Sequence, residues 1–271
     1  GVGTDMRALA RRGIAVQSNI DSVPDHQKGG ADSPGRSGPN GDPAFAVAEE
    51  HAASATGGGA ALVYVSSNSE TQPRDRSPID LALSPDGRWL VTANQIANTV
   101  SLIDTTSGEL IDELPCGDYP VDIAFTPDGC KILLTAQWQG KLQVFEVFEG
   151  GLVHKGDVNL GFDPAGIAIS SDSKRAYVGQ VADSKVADVD LQALSVVRRL
   201  EAGQWPRYLT LSPDDQRLAV GNGGDSNISV IDTATGETLY EEPLANGTNL
   251  GQMRTSEDGK YAYFTWMVYR T

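Results

Sequence analysis

The histidines and short motifs of this 271-residue chain offer little for catalysis. His26 and His51 lie in a stretch rich in small and polar residues, and His154 lies in a predicted outer strand. Histidines scattered in this way do not predict a histidine-ligated metal or a nucleophile–histidine triad. The sequence contains no G-x-S-x-G, P-loop or H-E-x-x-H pattern. We therefore predict no catalytic residue and no cofactor in this chain.

The carboxylates of the chain are spaced more regularly than its histidines. Copies of Ser-Pro-Asp-Gly, some of them degenerate, place aspartates 42 to 44 residues apart, at Asp86, Asp128, Asp172, Asp214 and Asp258. A calcium site needs carboxylates that converge on one ion. Each of these aspartates is instead expected in its own turn, where it can accept hydrogen bonds from the turn. We predict that they are structural turn acids.

A second series of acids follows the first four of these aspartates by eighteen residues, at Asp104, Glu146, Asp190 and Asp232. In segments such as Asp-Thr-Thr-Ser-Gly, the acid ends a predicted strand and a turn follows. Such an acid can accept hydrogen bonds from the backbone N–H groups of the turn. We predict a structural role for this series too.

The predicted strands recur with the same spacing as these acids. In the first repeat, four strand candidates cover 79–83, 88–93, 99–104 and 109–114. Four strands in about 40–45 residues, repeated along the chain, predict an all-β fold, a β-propeller of four-stranded antiparallel blades. The expected blades are about 77–118, 119–162, 163–204 and 205–247, with a partial fifth over 248–271.

The first 60 residues differ from the rest. They are rich in Gly, Pro, Ser and Asp and cannot bury enough apolar surface to offset the entropy of ordering. We predict a disordered, low-complexity segment over 1–60 and propeller repeats over 61–271. The strand-like run 61–69 can complete a fifth blade in a closed ring. Alternatively, the chain is a fragment of a longer propeller, which the apolar strand at its end favours.

Two segments carry a family resemblance. LVTANQIANTVSLIDTTSGEL, from Leu90, and LAVGNGGDSNISVIDTATGETL, from Leu218, resemble the YVTN-type repeat of bacterial β-propellers. That repeat joins a Y-V-x-N strand end, an N-T-V-S-V-I-D strand and a T-G-x turn. The resemblance extends over about 77–271 and implies the fold far more than the function. Repeats two and three depart from it in their turns, so altered turns are expected there.

The last segment, from Ala245 to Thr271, is similar to bacterial propellers that are followed by domains like the di-haem cytochrome c peroxidases. This similarity implies a periplasmic or cell-surface redox protein. The chain has no C-x-x-C-H motif, so a haem c would belong to a further, downstream cytochrome domain. It also shows no intact signal peptide.

Binding residues are expected on one face of the propeller, where the loops between blades and between strands two and three lie. The residues placed there are Asp118, Tyr119, Trp138, Asp163, Trp205, Arg207 and Asn249. Exposed tryptophan, tyrosine and arginine make good recognition anchors. Taken singly, however, each tryptophan is expected to be wedged between blades, because large aromatic side chains are usually well buried.

Two further carboxylates, Asp80 and Asp122, share one register on successive inner strands. Lactonase-type propellers hold an axial metal with a few acidic and polar ligands, so this pair is a candidate for such a site. The later repeats place Gly166, Tyr208 and Gln252 at the same register, which weakens the prediction.

The composition disfavours some classes of binding partner. A formal net charge of -15 disfavours nucleic acid and anionic membrane surfaces, and no apolar run is long enough to insert in a membrane. Cys116 and Cys130 lack metal or redox spacing and leave their redox state open. We therefore expect a non-catalytic scaffold that binds a protein or small ligand. The alternatives are the propeller portion of a haem oxidoreductase and a metal-dependent lactonase.

Overall fold

A computed structural model of the chain describes residues 15–17, 75–148, 151–244 and 248–268. Of residues 15–17, 248–249 and 266–268, only the backbone is described. All these residues belong to one unit, formed by 1–19 and 73–271. The described ranges contain nineteen strands and no helix. Consequently no helix in them is long and apolar enough to span a membrane.

The strands form five sheets, four of which are four-stranded and antiparallel with strands in chain order. After β1 (Ala15–Gln17), these four sheets contain β2 (Pro78–Leu83), β3 (Trp89–Asn94), β4 (Thr99–Asp104), β5 (Leu110–Pro115); β6 (Pro120–Phe125), β7 (Lys131–Ala136), β8 (Lys141–Phe148), β9 (Gly151–Asn159); β10 (Pro164–Ile169), β11 (Arg175–Gln180), β12 (Lys185–Asp190), β13 (Ser195–Glu201); and β14 (Pro206–Leu211), β15 (Arg217–Asn222), β16 (Asn227–Asp232), β17 (Thr238–Pro243).

The fifth sheet contains β18 (Thr248–Thr255) and β19 (Tyr261–Val268), which are antiparallel. Its third strand is β1, which pairs in parallel with β19. Four complete blades and a partial fifth confirm the predicted all-β propeller. The strand β1 lies inside the segment 1–60, for which no strand was expected. The rest of that segment and the run 61–69 lie outside the described residues.

The sheets pack face to face in chain order through their first strands β2, β6, β10, β14 and β18. Apolar side chains of neighbouring sheets fill the space between them, for example Val91 and Leu102 against Ile123 and Phe145. Between the third and fourth sheets, Tyr177 and Val186 pack with Leu209. Each first strand also carries a register irregularity near its start.

The first sheet packs on one side only within the described residues. On β2, Ile79, Leu81 and Leu83 are all more than half exposed, although they are large and apolar. The matching residues of the second and fourth sheets, Ile123 and Leu209, are buried against the preceding sheet. The exposed row on β2 is therefore the face that a preceding blade covers elsewhere in the propeller.

The turns between first and second strands keep one geometry although their sequences diverge. Gly87 and Gly129 adopt positive φ angles of 72° and 73°, which suit glycine. Ser173 and Asp215 replace the glycine in repeats three and four and still adopt φ of 60° and 57°. The turn is therefore preserved in the copies that lack glycine, and the expectation of an altered turn in repeat three is wrong at this position.

The asparagine of the repeated segment ties two strands together. The side-chain Nδ2 of Asn94 donates to Thr99 Oγ1 at 2.9 Å and to Ser101 Oγ at 2.8 Å. In the fourth sheet, Asn222 Nδ2 donates to Asn227 Oδ1 at 2.8 Å and to Ser229 Oγ at 2.7 Å. The recurring Asn-x₄-(Thr/Asn)-x-Ser pattern is thus a buried link between the second and third strands of a blade.

Candidate ligand-binding site at the loop end

The propeller has two ends that differ in their connections. The turn end carries the hairpins that join strands one and two and strands three and four of each sheet. The loop end carries the loops between strands two and three and the connections from one sheet to the next. These names are used below for the two ends.

At the turn end, the aspartates of the Ser-Pro-Asp-Gly series accept hydrogen bonds within their own turns. Asp86 Oδ1 accepts from the Ser84 hydroxyl at 2.6 Å and from the Arg88 N–H at 3.1 Å. Asp258 does the same with Ser256 at 2.7 Å and Lys260 at 3.1 Å, and the Ser256 contact lowers the pKa of Asp258 to about 2. Equivalent bonds are made by Asp128, Asp172 and Asp214.

Three acids of the second series also hold their turns. Asp104 Oδ1 accepts the N–H groups of Thr106 at 2.8 Å and Ser107 at 3.0 Å, which lowers the pKa of Asp104. The same two-bond pattern occurs at Asp190 and Asp232.

Glu146 departs from the expected turn contact, since it forms an ion pair with Lys155 at 3.0 Å. Strands β8 and β9 are longer than their counterparts, so their hairpin closes beyond Glu146 rather than directly after it.

At the loop end, the residue before the first strand of each complete sheet adopts a left-handed conformation. Ser77, Tyr119, Asp163 and Trp205 have φ between 45° and 62°. Their carbonyl oxygens accept N–H groups from the strand 2–3 loops, for example Trp205 O from Gly223 at 3.0 Å. A non-glycine residue in this region costs of the order of 1–3 kcal/mol. The repeated backbone geometry fixes the position from which the Tyr119 and Trp205 side chains project.

The loop end displays large aromatic side chains. Tyr119 and Trp138 stack with ring centroids 4.4 Å apart and planes inclined by 7°. Trp138 is nevertheless 63% exposed and Trp205 is 54% exposed. The expectation that each tryptophan is wedged between blades is therefore wrong. Ile96 and Phe162, which the sequence analysis did not single out, are also exposed at this end.

Three charged residues of the loop end, Asp118, Asp163 and Arg207, form no ion pair with a described residue. Asp118 Oδ1 accepts from Asn98 Nδ2 at 3.3 Å, and Asp163 Oδ1 accepts from Gln137 Nε2. Neither aspartate forms an ion pair with any described residue, and Arg207 has no recorded partner among them. The side chain of Asn249 lies outside the described residues.

The first strands bring Asp80 and Asp122 together near the axis. Asp80 Oδ2 accepts the Ile123 N–H at 3.1 Å, and Asp122 Oδ2 accepts the Ile167 N–H at 2.7 Å. Each carboxyl therefore links its blade to the next one. Burial of Asp122 and its hydrogen bond with Asp80 raise the pKa of Asp122 well above its ordinary value. The two carboxyl groups are thus in contact across the boundary between two blades, and burial disfavours the charged form of Asp122.

Two adjoining cavities meet at this point, with volumes of about 400 Å³ and 210 Å³. Both are lined by Asp122, Gly166, Tyr208 and Gln252, which are the register positions that follow Asp80 around the axis. Gly166 permits the close approach of β10 and β14, because a Cβ atom there would lie 2.3 Å from the Arg207 carbonyl oxygen. The larger cavity also touches Tyr119 and Gln137 of the loop end. We call these two spaces the axial cavity.

The axial cavity offers few potential ligands for a metal ion. The described part of the chain contains no group of three or more His, Cys, Asp or Glu side chains placed to hold a metal ion. In addition, one carboxyl oxygen of Asp80 and one of Asp122 already accept a hydrogen bond from a backbone N–H. The arrangement suits blade-to-blade attachment better than the axial metal of a lactonase.

Sequence reasoning missed Arg254 as a residue of this site. It lies on β18, two residues after Gln252, and lines the smaller part of the axial cavity. Its Nη1 donates to Gln252 Oε1 at 3.3 Å and to the Met253 carbonyl at 2.8 Å. The sequence could have indicated Arg254, because it follows Gln252 by two residues and alternate residues of a strand share one face.

The fold and the blade repeats define the described part of the chain as a β-propeller. Residues 79–175 match the family described as YNCE-like beta-propeller. Among solved structures, the chain is similar to hydrazine synthase of Kuenenia stuttgartiensis, with 26% identity and a TM-score of 0.65. That similarity covers 72% of this chain and 57% of the other, so this chain spans somewhat more than half of that protein's length. No curated protein shows a significant match.

Proposed function

We propose that this chain is a non-catalytic propeller module that binds a partner protein through its loop end. The observation that carries the proposal is the exposure of Trp138 and Trp205 on that end, together with Phe162. Tryptophan and tyrosine dominate the binding energy of many protein interfaces. The Tyr119–Trp138 stack holds the exposed indole in one orientation, which lowers the entropy lost on binding.

The partner should present basic or neutral groups to this end. The protein has a net charge of -15, and Asp118 and Asp163 carry charges that no described cation neutralises. Lysine or arginine side chains of a partner could pair with these aspartates and stack on the tryptophan rings. A polyanionic partner such as nucleic acid would be repelled.

Affinity capture with the full chain tests this proposal. Immobilised wild-type protein is compared with a Trp138→Ala/Trp205→Ala double variant in an extract of the source organism. The matched control is Phe148→Ala, which removes an equally exposed aromatic side chain at the turn end. We expect a partner that the control retains and that the double variant loses by about tenfold or more. Equal retention by both variants would contradict a binding role for the loop end.

A second candidate is the propeller portion of an extracytoplasmic c-type haem oxidoreductase. The similarity to a chain of an enzyme, hydrazine synthase, supports it, as does the resemblance of the segment after Ala245 to cytochrome-linked propellers. The test is to read the coding sequence beyond Thr271 and to stain the native full-length protein for covalent haem. Absence of both a C-x-x-C-H motif and bound haem would exclude this candidate.

A further inference from the structure

The cations of this acidic protein are distributed unevenly. Eight of the fourteen described lysines and arginines form an ion pair with a carboxylate, such as Arg76 with Glu113 at 2.7 Å and Lys185 with Glu201 at 2.6 Å. Arg207 and Arg254 are two of the six that do not, and both line the axial cavity. Within the described ranges neither contacts a carboxylate, although acids outnumber bases by 36 to 21 in the chain.

The carboxyl group that faces these arginines forms no ion pair with either of them. Asp122 is the acid that lines the cavity at the junction of its two parts. It accepts the Ile167 N–H at 2.7 Å and contacts the Asp80 carboxyl, and burial raises the pKa of Asp122 well above its ordinary value, while the charge of Arg254 acts in the opposite direction. The cavity therefore combines two guanidinium groups with one carboxyl group that hydrogen-bonds to a backbone N–H and to a second carboxyl group.

The polar groups of the cavity suit an anion of small size. Tyr208 and Gln252 line both parts and add a hydroxyl and an amide to the arginines. Arginine guanidinium groups pair with carboxylates through two parallel hydrogen bonds, which gives both affinity and orientation. The larger part, at about 400 Å³, falls within the usual range for small-molecule sites.

We propose that the axial cavity binds a small organic carboxylate, held by Arg254 or Arg207 and contacted by Tyr208 and Gln252. Trp138 and Trp205 do not line the axial cavity, although its larger part touches Tyr119 and Gln137 of the loop end. The proposed binding uses no metal and needs no catalytic step. A carboxylate there would add a counter-charge for the arginines and bridge the second, fourth and fifth sheets.

Calorimetric titration of the full chain tests the proposal. The probes are acetate, succinate and inorganic phosphate, with choline as a cationic probe, all at constant ionic strength in chloride. We expect acetate or succinate to bind with one site per chain and to raise the thermal midpoint. Arg254→Gln and Arg207→Gln should each be titrated, and at least one should weaken that binding about tenfold or more.

Arg217→Gln is the matched control. Arg217 is also exposed and lacks an ion pair with any described residue, but it lies at the start of β15 outside the axial cavity. This variant should bind the carboxylate as the wild type does. Circular dichroism establishes that each variant is folded, and Arg254→Lys, which keeps the charge and loses the paired geometry, should bind with intermediate affinity.

Four results would overturn the proposal. They are binding of no carboxylate probe, tighter binding of phosphate than of any carboxylate, equal binding of choline, and equal loss of binding in the Arg217 and axial arginine variants.

Discussion

Aspartates of the turn end differ in their contacts from two aspartates of the loop end, Asp118 and Asp183. At the turn end, aspartates such as Asp86 and Asp232 are engaged by hydroxyl and N–H groups of their own turns. At the loop end, the exposed Asp183 side chain makes neither a hydrogen bond nor an ion pair with a described residue, and the exposed Asp118 accepts one long hydrogen bond, from Asn98 Nδ2 at 3.3 Å. The recurring turn acids thus help to build each blade, whereas these two aspartates are engaged weakly within the chain.

This difference has an energetic consequence. Groups engaged within the chain contribute to folding stability, so their removal should destabilise the protein. Groups without a partner contribute little to folding, so their removal should change binding and leave stability unchanged. Paired substitutions, one of an engaged group and one of a group without a partner, therefore test whether the two kinds of group differ in their effect on stability.

The largest effect is expected at Asp188, which is fully buried in the third sheet. Its Oδ2 contacts Arg175 at 2.6 Å and Arg198 at 3.0 Å, and Arg198 continues to the Thr233 and Ala234 carbonyls of the next sheet's turn. Asp188→Ala leaves two arginines without their counter-charge. We expect a loss of about 3–5 kcal/mol in the free energy of unfolding, measured by urea denaturation.

Asp183→Ala provides the comparison from the loop end of the same sheet. The Asp183 side chain is exposed and makes no recorded hydrogen bond with a described residue. Its removal should change the free energy of unfolding by no more than about 0.5 kcal/mol. A similar loss in both variants would show that the loop-end carboxylates are structural as well.

The next effect is expected where the first strands β10 and β14 approach each other closely. In Gly166→Ala the new methyl group would lie 2.3 Å from the Arg207 carbonyl, and backbone cannot move aside easily. We expect a loss of about 1–3 kcal/mol by urea denaturation. Gly223→Ala is the control, because its nearest heavy atom lies 3.8 Å away. Equal stability of the two variants would mean that the strands at the axis can separate.

A smaller effect, of opposite sign, is expected at Asp122. Its raised pKa means that the folded state binds more protons than the unfolded state once the pH exceeds the ordinary value of 3.8. Wild-type stability should therefore fall as the pH rises through the pKa of the folded state. Asp122→Asn keeps an acceptor for the Ile167 N–H and removes the titration.

Thermal unfolding across a pH series measures this effect. Asp122→Asn should be more stable than the wild type at pH 7, and the difference should vanish toward about pH 3. A variant that is less stable at pH 7 would show that Asp122 is ionised there and paired with a cation.

The sequence predicted the blades because their signals repeat. The spacing of Asp86 from Asp128, and of Pro78 from Pro120, sets the hairpins and first strands of successive sheets. Each position is supported by its copies, so a degenerate copy such as Ser173 does not obscure the pattern. The strand β1 was missed because three residues far from their partner carry no local signal.

The candidate site was harder to predict because it occurs once. The Tyr119–Trp138 contact joins the start of one strand to a loop in the same sheet, and exposure of both tryptophans depends on neighbours that the repeat does not specify. Asp80 and Asp122 were recognised as neighbours from their shared register. The raised pKa of Asp122 depends on burial, and the position of Arg254 in the same cavity depends on how the sheets pack, neither of which a single sequence shows.

The smallest effect is expected at a turn-end acid. Asp232 Oδ1 accepts the N–H groups of Thr235 at 2.8 Å and Ala234 at 3.0 Å, and the first of these contributes most to lowering its pKa. Near pH 3.8, the ordinary pKa, the folded state then binds fewer protons than the unfolded state. The stabilisation that ionised Asp232 gives to the folded state is therefore present above that pH and is lost as the pH falls through the folded pKa. Asp232→Asn keeps an acceptor and loses the charge.

Thermal unfolding should therefore give opposite signs at the two positions. At pH 7, Asp232→Asn should be slightly less stable than the wild type, whereas Asp122→Asn should be more stable. The difference at Asp122 should vanish once the pH falls below the ordinary value of 3.8, whereas the difference at Asp232 should shrink only as the pH falls through its lowered folded pKa. The same substitution thus distinguishes an acid whose charge the turn stabilises from one whose charge the axis disfavours. If Asp232→Asn were the more stable protein at pH 7, the turn acids would not be holding their turns through charge.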